Sequence, residues 1–321
     1  MALGNLAQRF LVAVVAVPIL LVLLSYHRHE PTWVVIFIAS LIAMHELFAM
    51  TLPREDRQPA VVMGALACFA FYWLHESTLF QFNLAGPAGW TQYTPASLEA
   101  THGPTLTAKL LTGAVAAGPT ISLVLAVMVP ALYYLFRFRD IPSVAGRLTA
   151  TITGIVYAGF LTTFLGMLKR IDIDPATPNP TLGFSNAVPV VLVLVVAWLA
   201  DTGGYFAGRF LGKGKLYEAV SPKKTWAGAW GGLAGSFVGV LVLKLAYPEW
   251  LGWVDVFLIA IPGGILGQMG DLAESLLKRS VGVKDSGALL PGHGGLLDRI
   301  DAVLFIAPYV YAYLTIKAAI A

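Results

Sequence analysis

The stretch Gln268–Asp301, QMGDLAESLLKRSVGVKDSGALLPGHGGLLDRID, decides how this chain is read. It follows one apolar run and precedes another, so it is a polar turn at the face of an apolar layer. Its 34 positions hold nine charges: Asp271, Glu274, Asp285, Asp298 and Asp301 among Lys278, Arg279, Lys284 and Arg299. Yet only 12% of the 321 residues are charged and 57% are hydrophobic, whereas a soluble globular domain carries about 25% charged residues. The surplus apolar surface has to face lipid, which predicts a polytopic membrane protein. Lone strands would leave backbone groups unpaired in lipid, so the fold class is all-α. Anchoring alone does not require so dense a group of charges, and the stretch reads as half of a metal and phosphate site. The other half is Asp201–Thr225.

Nine apolar runs are long enough, or nearly so, to cross a bilayer as helices. They lie near 10–26, 33–52, 60–74, 112–136, 148–168, 186–206, 226–247, 253–277 and 302–320. The first has the charge and apolar run of a signal peptide but no clear cleavage site, and is taken as a retained span. Residues 1–185 thus form about five N-terminal transmembrane helices. Residues 186–321 form a catalytic region of about four, with polar loops on one face. With the N-terminus inside, 15 of the 21 Lys and Arg residues fall inside, which predicts a cytoplasmic N-terminus and puts both charged stretches on the cytoplasmic face. The loop from His75 to about Pro104 reads as irregular. Gly231, Gly235 and Gly239 share one helix face, a spacing that suits close packing within the chain or against a second copy as a homodimer. The net charge of +3 says little about partners and nothing points to nucleic acid; the single cysteine, Cys68, excludes an intrachain disulfide.

Several groups in the two charged stretches suit phosphate chemistry. Asp271, Glu274, Ser275 and Lys278 share a helical face near the end of the eighth run, where an acid is costly unless paired or hydrated. Asp271 is therefore a candidate cation ligand, or else an acid neutralised by Lys278. Asp298 and Asp301 lie one turn apart where the ninth run begins, placed to hold a divalent ion or simply to favour a helix start. Between them, Pro291-Gly292-His293-Gly294-Gly295 makes a glycine-rich loop whose amides can approach a phosphate. Upstream, Asp201 follows a long apolar run. Ser221-Pro222 reads as an N-cap followed by proline, which sets Lys223, Lys224 and Thr225 in a helix's first turn as an anion site or as headgroup-binding lysines. There is no Walker A loop, no HExxH pair and no G-x-S-x-G elbow.

The run from Ser275 to Asp301, with Ala200-Asp201-Thr202-Gly203 and Ser221-Pro222-Lys223-Lys224-Thr225-Trp226, resembles the signature of the phosphatidate cytidylyltransferases, the CDP-diacylglycerol synthases. The likeness covers about the last 125 residues; before them the chain resembles that family only in being helical and apolar. One departure is Ala227, where the family commonly has Glu. The resemblance implies that CTP and membrane phosphatidate give CDP-diacylglycerol and pyrophosphate with Mg²⁺, with a second cation as an option, at a bacterial-type inner membrane. It implies Asp271, Asp298 and Asp301 on the metal, with Lys278 and Arg279 also catalytic. Asp201, Ser221, Lys223, Lys224, Thr225, Lys284, Asp285, His293, Gly294, Gly295 and Arg299 would bind substrate. The alternatives are a cytidylyltransferase for another lipid phosphate, such as an isoprenoid ether lipid, or an ion-coupled transporter, which would instead spread its acids through mid-span positions.

Overall fold

The computed structural model describes residues 18–20, 22–26, 29–74, 82–86, 89–93, 117–137, 140–171, 173, 186–289 and 294–320. The chain is a bundle of long helices. Helix α1 is Glu30–Thr51 and α2 is Arg54–Leu74; a hairpin of β1, Phe82–Gly86, and β2, Gly89–Tyr93, follows. Helix α3 is Gly118–Leu135. Then α4, Val144–Gly154, runs through a π-helical segment, Ile155–Phe160, into α5, Leu161–Leu168, as one rod. Helix α6 is Val188–Leu211; strands β3, Lys215–Tyr217, and β4, Ser221–Thr225, pair antiparallel; α7 is Trp226–Ala246, α8 Trp253–Ser280 and α9 Leu297–Ile320.

The all-α membrane reading holds. Seven of these helical rods are long and apolar enough to cross a bilayer: α1, α3, the α4–α5 rod, α6, α7, α8 and α9. Nine spans are not reached among the described residues. The run near 10–26 falls largely outside them, although 18–20 and 22–25 are helical. The run near 60–74 belongs to α2, whose first turn carries Arg54, Glu55, Asp56 and Arg57 and starts in polar surroundings.

Two local expectations are corrected. Part of the loop expected to be irregular forms the β1–β2 hairpin, with Phe82 opposite Tyr93. Ser221 and Pro222 do not start a helix; they open β4, where Ser221 pairs with Tyr217 and Pro222 offers its carbonyl to Lys215 Nζ. The cap of α7 is Thr225, whose Oγ1 accepts the Gly228 N–H at 3.1 Å. Threonine caps nearly as well as serine, and a proline is tolerated at a strand edge, so strand pairing decides between the two starts.

Small residues bring the site-bearing helices together. A Cβ on Gly203 would stand 2.3 Å from the Gly231 carbonyl oxygen, and one on Gly235 would stand 2.0 Å from that of Leu199. The glycine stripe of α7 is thus spent on contact with α6 within the chain. Gln268 of α8 donates to the Ala229 carbonyl of α7 at 3.1 Å. A Cβ on Gly270 would lie 2.6 Å from the Asp301 carbonyl oxygen, so α8 and α9 meet backbone to backbone beside Asp271 and Asp301. Two apolar cores hold the bundle; one joins Trp33, Tyr72 and Leu165 to Val193, Ile259 and Ile306, the other joins Met44, Phe48 and Ala158 to Leu297 and Leu304.

At the bundle end away from the charged loops, Asp255 of α8 is tied to Lys317 and Tyr313 of α9 and accepts the Gly252 N–H. Lys169 is clasped there by the Leu24 carbonyl and Asn186.

Gly235→Ala should lower the stability of the detergent-solubilised protein by about 1–3 kcal/mol, the usual cost of overpacking. Gly146→Ala, where a Cβ meets nothing within 4 Å, should be neutral or slightly stabilising. Thermal unfolding of both variants reads the difference, and equal behaviour would contradict the α6–α7 seam.

Candidate active site

Two buried carboxylates grip the chain where it enters α9. Glu46 comes from α1 and is 6% exposed. Its Oε1 accepts the Leu296 N–H at 2.9 Å, and its Oε2 accepts the Leu297 N–H at 2.9 Å and the Ser286 hydroxyl at 3.1 Å. The first amides of a helix have no intrahelical acceptor and carry the positive end of its dipole, so a carboxylate is well placed there. Asp298, in the first turn of α9, turns back onto the same loop. Its Oδ2 accepts the Gly295 N–H at 2.8 Å and the Ser286 N–H and hydroxyl, each at 3.0 Å. Its Oδ1 faces Lys278 Nζ at 2.5 Å. Gly294 takes φ +79°, and the adjoining Gly295 leaves no room for a Cβ, which would meet Ser286 Oγ at 2.1 Å. Glycine is therefore required at both positions for the loop to close on the two acids.

Lys278 also pairs with Glu274 one turn before it, so a single ammonium is shared by two carboxylates. Glu274 is 1% exposed, and a charge buried so deeply persists only when paired.

A second group of charges lies beside this one. Asp271 Oδ2 is 2.7 Å from Lys224 Nζ, which reaches over from the end of β4. Asp271 is nine residues before the end of α8, about 13 Å along a helix axis, so this is an acid set into the helical part of the bundle. Asp301 points to the same place; the charges that act on it most strongly are those of Asp271, Asp201 and Lys224. Asp201, on α6, is acted on by Asp271, Lys224 and Arg299. Asp271 and Lys224 thus touch, and Asp201, Asp301 and Arg299 lie within electrostatic reach of them, with Asp201 and Arg299 exposed. Among the described residues no three His, Cys, Asp or Glu side chains close around a single point.

The remaining expected residues scatter around these two groups. Arg279 is exposed and donates to the Val283 carbonyl at 2.8 Å. Lys284, Asp285, Lys223 and Arg299 are exposed, and Ser221 is half-buried. Thr225 Oγ1 is occupied as the α7 cap, and the Gly295 amide is held by Asp298. His293 lies outside the described residues.

A model of the Cytidylyltransferase family matches residues 7–317. The chain belongs to that family. Proteins bearing the name phosphatidate cytidylyltransferase are similar to it. The one from Brucella suis biovar 1 (strain 1330) is 41% identical over 160 residues, 50% of this chain and 55% of that protein. The one from Synechocystis sp. is 34% identical over 200 residues, 57% of this chain and 67% of that protein. The one from Bacillus subtilis (strain 168) is 44% identical over 122 residues, 38% of this chain and 45% of that protein. The chain spans about half the length of the Brucella relative it matches.

In this member of the cytidylyltransferase family, two residues that organise the loop escaped the sequence reading. Glu46 is the only acid in the first five expected spans, and an isolated acid in an apolar helix is the signal that marks it. Ser286 carries no such signal. Glu46→Ala would leave two helix amides and a hydroxyl without their acceptor. The expected loss is at least about 2 kcal/mol, since each buried group left unsatisfied costs about 1–3. The unfolding temperature should fall and the 284–296 loop should become a protease target; wild-type stability and wild-type protease resistance would contradict the grip.

Proposed function

We propose that this chain is a membrane nucleotidyltransferase that joins CTP to phosphatidate, giving CDP-diacylglycerol and pyrophosphate. The observation that carries this reading is the meeting of Asp201, Asp271 and Asp301 with Lys224 and Arg299 at one end of a lipid-facing bundle, in a chain matched by the family along almost its whole length. The names of its relatives supply the lipid.

The chemistry asks little of a general base. A phosphate monoester has its second pKa near 6, so the phosphatidate oxygen is already an ionised nucleophile. That oxygen attacks the α-phosphorus of CTP. The new P–O bond forms as the bond from the α-phosphorus to the bridging oxygen of the β-phosphate breaks, and pyrophosphate leaves with the electron pair. Catalysis is then alignment and neutralisation of charge. Lys223, Lys224, Arg279, Lys284 and Arg299, all on the charged end of the bundle, bind the phosphates. Lys278 and Asp298 hold the loop that carries the glycines in place.

Carboxylate oxygens suit magnesium, which takes one or two protein carboxylates and fills its shell with water and substrate phosphate. Asp271 and Asp301 would hold it, with Asp201 as a further ligand or orienter. Asp298 would join them on release of Lys278 from its Oδ1. When bound, the ion would offset negative charge on the reacting phosphates. The cytoplasmic face of a bacterial-type inner membrane fits the Lys and Arg bias toward this end. Acids gathered at one end, rather than spread through mid-span positions, disfavour ion-coupled transport.

Purified protein supplied with labelled CTP, phosphatidate in detergent and magnesium should form CDP-lipid. Asp271→Asn and Asp301→Asn should each cut kcat/KM by about 100-fold or more, the scale of losing one charge-stabilising group. Asp140→Asn, which disturbs only an exposed contact to Arg147, should stay within about twofold. An inactive wild type, or near-normal turnover by Asp271→Asn, would sink the assignment. Product formed only with an isoprenoid ether lipid phosphate would move the lipid and keep the nucleotidyl transfer.

A further inference from the structure

Tyr157 sits in the middle of the π-helical segment Ile155–Phe160, where the Leu161 N–H reaches back to the Val156 carbonyl. Such segments interrupt the regular ladder and occur often at functional sites. The side chain is 8% exposed, and its hydroxyl has no hydrogen-bond partner among the described residues. Buried hydroxyls are almost always bonded, and one left open has a cost that function must justify.

The position of the ring shows where the hydroxyl belongs. It meets the Phe305 ring edge-on, with centroids 6.2 Å apart. Phe305 is one turn after Asp301 on α9, and its ring lies 3.1 Å from where a Cβ on Gly270 would stand. Tyr157 therefore leans on the α8–α9 seam at the level of Asp271 and Asp301. The acidic groups whose charges act on its phenol are Glu274, Asp301 and Asp271. The other buried polar atoms at this end without a hydrogen bond belong to charged groups that lie in ion pairs, Lys224 with Asp271 and Glu274 through its Oε2 with Lys278; Glu274 Oε1 is open too, but as a carboxylate oxygen it only accepts. Of the other buried tyrosines beside the rod, Tyr134 is satisfied at 3.0 Å by Thr151, and Tyr72, whose hydroxyl is also unbonded, packs on Gly166 at the rod's other end, away from the carboxylates. Tyr157 alone among these faces the site with an unused O–H.

We infer that Tyr157 is a substrate-binding residue, whose phenol O–H donates to an oxygen of a phosphate group held over Asp271 and Asp301. This rests on the nucleotidyl-transfer reading above and adds to it a donor from the N-terminal half of the chain. A neutral donor can stand among carboxylates without adding charge, and the carboxylates cannot themselves bond an anionic phosphate. The donor is positioned by the rod, not by the charged loops. The phosphate is either that of the lipid or one of the nucleotide, and these are separated by experiment.

The test is Tyr157→Phe, which keeps the ring and removes only the O–H, assayed beside wild type and Tyr134→Phe. A hydrogen bond to a charged acceptor is worth enough that kcat/KM should fall about tenfold or more, with the unfolding temperature unchanged. A raised KM for phosphatidate assigns the bond to the lipid and a raised KM for CTP assigns it to the nucleotide. A fall in kcat alone assigns it to the transferred phosphoryl group. Tyr134→Phe should instead lose stability and keep both KM values. Values of kcat/KM within twofold of wild type for Tyr157→Phe, or a loss matched by a fall in unfolding temperature, would overturn the inference. If wild type makes no CDP-lipid, the function fails separately, and the phenol is judged by the thermal shift given by magnesium pyrophosphate. An equal shift in wild type and Tyr157→Phe overturns it, and a smaller shift in the variant supports it.

Discussion

A carboxylate from α1 accepts the amides of Leu296 and Leu297, where the chain enters α9, and the hydroxyl of Ser286, and the charged end of the bundle is built outward from that contact. The Glu46 charge is buried in an apolar helix, which is expensive. The cost is offset because it meets donors that would otherwise be unsatisfied, at the positive end of a long helix. Glu46 therefore fixes where α9 begins. The start of α9 fixes Asp298 and Asp301, and the Gly270 approach to Asp301 fixes Asp271 beside it. The order of dependence runs from a lone acid in the C-terminal part of helix α1 to the carboxylates of the candidate site.

The acids at this end fall into two classes by what surrounds them. Glu46, Glu274 and Asp298 have their own donors within the chain: amides, a hydroxyl and the shared Lys278 ammonium. They are structural anchors as they stand. Asp201, Asp271 and Asp301 are different: beyond the Ala302 N–H on Asp301 and the Ser275 hydroxyl on Asp271, Lys224 is the one cation among the described residues that pairs with any of them, and Arg299 acts from a distance. A surplus of negative charge set into a membrane bundle is stable only if water, a cation or a cation-bearing substrate completes it. That imbalance, more than any single distance, is why the second group is assigned to the metal first, and Asp298 only on release of Lys278.

Much of this was legible from the chain alone, and the parts that were not have a common cause. Helices, membrane and the location of the charged end follow from composition and run length, which are local properties. Asp271 reads in the sequence as lying near the end of an apolar run, but α8 continues nine residues past it, so its depth in the bundle was not legible. The α7 start was misplaced because Ser221-Pro222 and Thr225 both make acceptable caps. The choice lies in pairing between 215–217 and 221–225, which no single-segment signal reports. The partnership of Glu46 with Ser286 and Leu297 spans about 240 residues, and no periodicity reaches that far. Tyr157 was invisible for a related reason: a π-helical segment has no sequence mark, and an unsatisfied hydroxyl exists only once its neighbours are placed.

The central claim is that groups from α6, β4, α8 and α9 converge on one cation-bearing hollow at the charged end. A crystal structure of the protein grown with manganese and a non-hydrolysable CTP analogue tests it most directly, because the anomalous signal of the ion locates it without assumption. The expected result is a peak bound by Asp271 or Asp301, with nucleotide phosphate completing its shell and Lys224 on a phosphate oxygen. A peak elsewhere on the protein, or ordered nucleotide with no ion at these carboxylates, would contradict the account.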